Sequence, residues 1–201
     1  MTEQRNIDPV LISVNAYSND PAGYKAKYQS HRLHLPERFN NLLPPCADIL
    51  DIGCGPGRDL DYFASCGHRV IGVELNPDFV AMCHQRHSVV HADLRNLSKH
   101  FSPQMFDGIW AQASLVHLST DEVASVLADC CALLRDGGLL YLSVPATGES
   151  GWREESDGRR WYTVWPNNTI TDVLDAAGFT VFELSQGPYV EVWARKAESH
   201  Q

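Results

Sequence analysis

Short apolar runs alternate with amphipathic stretches along most of the chain. Asp48–Ile52 is a short, mostly apolar run, and residues 57–66 follow it at helical spacing up to Gly67. Arg69–Glu74 repeats the apolar run with Val70, Ile71 and Val73. Residues 77–87 then predict a helix, with Pro77 in its first turn and Asn76 as N-cap. Ser88–His91 and residues 106–111 predict two more strands. Residues 120–134 carry Val123, Val126, Leu127, Cys130 and Leu134 as a helical stripe, with Thr120 as cap and Asp136-Gly137-Gly138 as stop. Residues 139–144 predict strand five. A polar and aromatic stretch runs on to Trp165, and residues 168–177 predict a helix stopped by Gly178. Residues 179–184 and 189–194 predict two strands joined by Gln186-Gly187-Pro188. Such alternation implies a doubly wound α/β domain, a mostly parallel sheet covered on both faces. The closing hairpin adds one antiparallel strand.

Residues 1–45 precede the alternation. Tyr17, Tyr24, Tyr28, Leu35 and Phe39 recur at roughly helical spacing, broken by Pro21 and Pro36, and predict one or two short helices. The chain divides accordingly into an N-terminal helical segment, 1–45, and an α/β domain, 46–201.

Charge narrows the partners. Sixteen Lys and Arg stand against 25 Asp and Glu, a formal net charge of −9. A nucleic-acid binder needs a basic face to displace counterions from phosphates, so the acidity disfavours that class. The six cysteines form no C-x-x-C pair and suit free thiols in a reducing compartment. No signal-peptide core opens the chain and no apolar run reaches membrane-spanning length, so a cytoplasmic protein without membrane attachment is expected. No histidine spacing suggests a metal site.

The chemistry concentrates after strand one. Residues 53–57 read Gly-Cys-Gly-Pro-Gly and open the first helix. In open α/β sheets ligands bind outside the carboxyl ends of the strands, and glycines let a ligand approach the backbone there. Gly53 counted as the start of G-x-G-x-x-G would require glycine where Arg58 stands, which disfavours a nicotinamide oxidoreductase, and no Walker G-K-[ST] is present. Glu74 ends strand two, where a carboxylate suits both hydroxyls of a ribose; Leu75 and Asn76 follow and would line the adenosine.

These residues carry a resemblance. The run Asp51-Ile52-Gly53-Cys54-Gly55-Pro56-Gly57-Arg58-Asp59 resembles motif I of class I S-adenosylmethionine-dependent methyltransferases, and is similar to the loop of small bacterial small-molecule methyltransferases. Phe106-Asp107-Gly108-Ile109-Trp110-Ala111, Leu134-Arg135-Asp136-Gly137-Gly138 and Gly158-Arg159-Arg160-Trp161-Tyr162 extend the likeness over nearly the whole chain. It implies a Rossmann-like seven-stranded sheet in the order 3-2-1-4-5-7-6, last strand antiparallel. It also implies that the loop backbone (Gly53, Cys54, Gly55, Gly57) contacts the methionine part of S-adenosylmethionine, with Asp51 holding its amino group directly or through water. Asp93 would take the adenine amino group, the Leu94 backbone would meet the ring, and Gln112 would lie beside the sulfonium. S-adenosylhomocysteine would be the product.

Methyl transfer from a sulfonium is a direct displacement, so the protein supplies proximity, alignment and a dry cavity. A general base is needed only where the acceptor must lose a proton, and His117, after strand four, is the candidate. Tyr17, Tyr24 and Tyr28 would close over the cofactor as a lid. With His117, Arg153, Arg160, Trp161 and Tyr162 they would form the acceptor site. Aromatics beside arginine suit a flat or anionic small molecule. The expected function is methylation of a small molecule on O, N or S by a monomer or homodimer. The alternatives are an RNA or protein methyltransferase and a non-catalytic S-adenosylmethionine-binding protein.

Overall fold

The computed structural model describes residues 8–198. Seven strands form one sheet in the order β3-β2-β1-β4-β5-β9-β8. They are β1 (Asp48–Ile52), β2 (Arg69–Glu74), β3 (Ser88–His91), β4 (Phe106–Gln112), β5 (Leu134–Pro145), β8 (Phe179–Ser185) and β9 (Tyr189–Lys196). β1 pairs in parallel with β2 and β4, while β9 runs antiparallel between β5 and β8. This is the predicted sheet, with the closing hairpin supplying its sixth and seventh strands.

Alternation within strands builds two cores. Leu50 and Ile52 of β1 join the larger one beneath α6 (Thr120–Leu133) and α7 (Asn167–Ala176). Ile49 faces the opposite side, with Phe39, Phe63, Trp110, Tyr141 and Trp193. There Trp110 stacks on Tyr141 with centroids 4.2 Å apart. Phe39 belongs to α3 (His34–Leu42) and Phe63 to α4 (Arg58–Ser65), so α3 roofs the sheet together with α4.

Several boundaries moved. The cap of α6 is Ser119 rather than Thr120: Ser119 and Glu122 form a reciprocal capping box, which places Thr120 in the first turn. Asp136-Gly137-Gly138 does not stop α6. The helix ends at Leu133, and β5 begins at once with a register shift between its pairings at Phe106 and Gly108. The helix α5 (Pro77–Cys83) is shorter than its apolar pattern, though Asn76 caps it as expected. The N-terminal segment holds three helices, not one or two: α1 (Pro9–Ala16), α2 (Pro21–Tyr28) and α3. Finally, the stretch after β5 forms an antiparallel hairpin, β6 (Gly151–Glu155) and β7 (Gly158–Tyr162). It docks on α1, where Trp161 N donates to Ser13 Oγ at 2.8 Å. No helix among the described residues is long and apolar enough to cross a membrane.

Candidate functional site

The site begins where β1 ends. Gly53 N and Cys54 N both donate to Val73 O, pinning the loop to β2 at 2.8 and 3.1 Å. Gly57, at φ 88°, precedes α4 without a side-chain cap. Gly53 is left-handed at φ 70°, and a Cβ there would collide with the side chain of Ser114. The loop backbone therefore passes directly under the segment that follows β4.

Three acids stand at three successive strand ends, each in a different state. Glu74 is buried and accepts backbone N–H bonds from Gly55 at 2.8 Å, Leu75 at 2.8 Å and Asn76 at 2.7 Å. Burial raises its pKa and those three donors oppose the rise. A carboxylate accepts about four bonds, so capacity remains for a ligand hydroxyl. Asp51 lies beneath the loop, 3% exposed, and its Oδ2 has no hydrogen-bond partner. Burial and neighbouring Asp59 hold its pKa well above the ordinary range. Asp59 cannot share the load: it receives Trp110 Nε1 at 2.9 Å and an ion pair from Arg58 at 2.7 Å. Asp93 is gripped by Arg95 at 2.6 Å, which also pairs with Asp8 and Glu122.

One pocket joins these ends to the N-terminal helices. Gly53, Gly55, Glu74, Leu75, Asp93 and Leu94 line one part of it; Tyr17, Tyr24 and His117 line another. Nine of the predicted site residues are thus brought together. The others stand behind them. Asp51, Cys54, Gly57 and Gln112 lie outside the lining, and the Gln112 side chain accepts from Arg58 at 2.6 Å. Tyr28 stacks behind Tyr24 at 4.7 Å. Arg160 lies over the Tyr17 ring at 4.0 Å, Tyr162 meets His117 at 5.1 Å, and Arg153 lies over Tyr162 at 4.8 Å. Trp161 contributes its backbone, whose carbonyl accepts from His117 Nδ1.

That bond sets the imidazole tautomer. With Nδ1 donating to a carbonyl, Nε2 is an acceptor, and Tyr17 O–H donates to it at 3.0 Å. Burial lowers the His117 pKa to about 4, helped by Arg160 and opposed by the Trp161 carbonyl. The Tyr17 hydroxyl is driven upward by its own burial. Both groups are therefore neutral at physiological pH.

Sequence reasoning missed Val10, Val14, Phe79, Ala113, Ser114 and Leu118 in the lining. Phe79 offered a signal, since it falls in the first turn after the Asn76 cap. Ser114 lies between the predicted Gln112 and His117, in the segment that the family likeness sets beside the sulfonium; its Oγ is buried without a partner.

A sheet of this order, with a glycine loop after strand one and acids closing strands one to three, defines the class I, S-adenosylmethionine-dependent methyltransferase fold. Residues 49–138 carry the methyltransferase domain of that family, by match to its family model. The chain is 35% identical over 146 residues to the ubiquinone biosynthesis O-methyltransferase of Xanthomonas campestris pv. campestris, a match covering 70% of this chain. It spans about 60% of that relative's length. Among solved structures it is similar to the 1,6-didemethyltoxoflavin-N1-methyltransferase of Burkholderia thailandensis, which holds 1,6-didemethyltoxoflavin and S-adenosylhomocysteine. That likeness has a TM-score of 0.65 and 24% identity, covering 92% of this chain and 91% of the other. A Methanosarcina mazei methyltransferase gives a TM-score of 0.73 at 16% identity, covering 81% and 98%.

The residues present fit the cofactor of that class. The orphaned Asp51 oxygen calls for a cationic or donor group above it. Gly55 leaves open space over the loop, with nothing within 4 Å of a would-be Cβ, and Glu74 keeps an unused acceptor position for a ligand hydroxyl.

Proposed function

We propose that the chain transfers a methyl group from S-adenosylmethionine to a small molecule. The observation that carries this reading is the shared pocket: the strand-end residues that suit an adenosine and an amino acid face the same space as Tyr17, Tyr24 and His117. In the proposal Gly53 and Gly55 approach the methionine part, with Asp51 beneath its ammonium. Glu74 takes the ribose hydroxyls, and Leu75, Asp93 and Leu94 surround the adenine. When bound, the cofactor supplies an electrophilic methyl on a positively charged sulfur.

The chain's own work is alignment and exclusion of water. We assign α1 and α2 the role of lid, because Tyr24 of α2 and Tyr17, in the turn that joins the two helices, reach the pocket. The lid is clasped from below. Asn76 Nδ2 donates to Val14 O and Ser18 Oγ, both at 2.9 Å. Arg58 Nη1 donates to Tyr28 O at 3.2 Å and His31 O at 2.8 Å. Where the acceptor must lose a proton, Tyr17 can receive it at its oxygen while passing its own to His117 Nε2.

Calorimetry tests the reading. S-adenosylhomocysteine should bind and NADH should not; absence of binding at millimolar concentration ends the proposal. Glu74→Ala should weaken binding by about 1.5–3 kcal/mol, the worth of a hydrogen bond to a charged group. An unchanged affinity removes Glu74 from the site.

A further inference from the structure

Resting on the methyltransferase reading, we infer that the acceptor is an uncharged small molecule and that the pocket rejects carboxylates and phosphates. Neither arginine that suggested an anion in sequence, Arg153 or Arg160, lines the pocket. Arg160 pairs with Asp157 at 2.5 Å and lies over the Tyr17 ring, with its buried Nε left without a hydrogen-bond partner. Arg95 is shared among Asp93, Asp8 and Glu122. Arg58 pairs with Asp59 and spends its remaining donors on Gln112 and two main-chain carbonyls. Arg153 lies outside the lining, against the Tyr162 ring.

The lining itself has the opposite sign. Among the described residues its charged side chains are Glu74 and Asp93, and His117 is held neutral. Val10, Val14, Phe79 and Leu118 supply apolar wall. An anion entering here would lose its hydration and find no cationic side chain in the lining in exchange. The acids do suit a cationic cofactor. Ser114 belongs to the same lining, and its buried hydroxyl has no protein partner.

The test uses the full chain with S-adenosylmethionine and a panel of phenol, aromatic-amine and thiol acceptors, each paired with its carboxylated analogue. Formation of S-adenosylhomocysteine is the readout. At least one uncharged member should be methylated, with kcat/KM about tenfold or more above its carboxylated partner, the cost of burying a charged group without a partner. Asp157→Asn frees the Arg160 charge behind Tyr17 and should narrow that ratio severalfold, with the melting temperature recorded to confirm folding. The inference is overturned if carboxylated members react as well as their uncharged partners. It is also overturned if protein that binds S-adenosylhomocysteine methylates none of the uncharged members, or if Asp157→Asn folds and leaves the ratio unchanged. Failure to bind S-adenosylhomocysteine would instead overturn the methyltransferase reading itself.

Discussion

Replacing Gly53 with alanine should cost about 3 kcal/mol and disable the ligand loop. Two penalties add. The backbone at Gly53 is left-handed, φ 70°, where an alanine is disfavoured by roughly 1 kcal/mol relative to glycine. The new Cβ would also overlap the Ser114 Cβ and lie 3.3 Å from its Cα. Overpacking of that kind costs about 1–3 kcal/mol, because backbone must move. For a chain of this size each kcal/mol lowers Tm by about 2–4 °C, so a fall of roughly 6–12 °C is expected. Gly55→Ala is the control. Gly55 is also left-handed, at φ 54°, but nothing lies within 4 Å of its would-be Cβ. It should lose only the conformational part, about 1 kcal/mol. Ser114→Gly removes the obstructing Cβ and should return part of the loss to Gly53→Ala. Thermal denaturation measures stability, and titration with S-adenosylhomocysteine measures the loop. Equal losses for the two alanine variants, or no recovery in the double variant, would refute the packing argument.

Two other side chains give tests of different sign. His117 has a folded pKa of about 4 against 6.5 unfolded, so between these values the unfolded chain binds more protons. Stability should be complete above about pH 6.5 and fall by roughly 3 kcal/mol on acidification to pH 4. Urea unfolding across this range should lose that component in His117→Gln; an identical slope in both proteins would mean that His117 is not buried as described. Asp51→Asn removes a carboxyl whose pKa burial and Asp59 push up, so the ligand-free protein should gain a few degrees in Tm while S-adenosylhomocysteine affinity falls. Loss of stability together with unchanged affinity would contradict both roles.

Local pattern revealed the strands because their fixed period and burial leave a mark in neighbouring residues. The hairpin β6–β7 left no such mark. Its residues are mostly exposed or half-buried, and its anchors are distant: Ser13 from α1 and Asn19, which donates to Asp157 O at 2.7 Å. His117 shows the same divide. Its position after strand four was legible, but its tautomer comes from Trp161, 44 residues on, and from Tyr17, 100 residues back.

The sequence alone determined the sheet, its order through family likeness, the glycine loop and the acids at the strand ends. These are short-range features, written in spacing and in the residue types that a tight turn demands. Only the tertiary structure decided which charges remain free. An arginine in sequence is a cation, but its electrostatic meaning depends on the carboxylate that folding sets beside it. Arg58, Arg95 and Arg160 each acquire such a partner, while Asp51 does not. Folding thus turned a site that read as suited to an anion into one lined by Glu74 and Asp93 and by no cationic side chain.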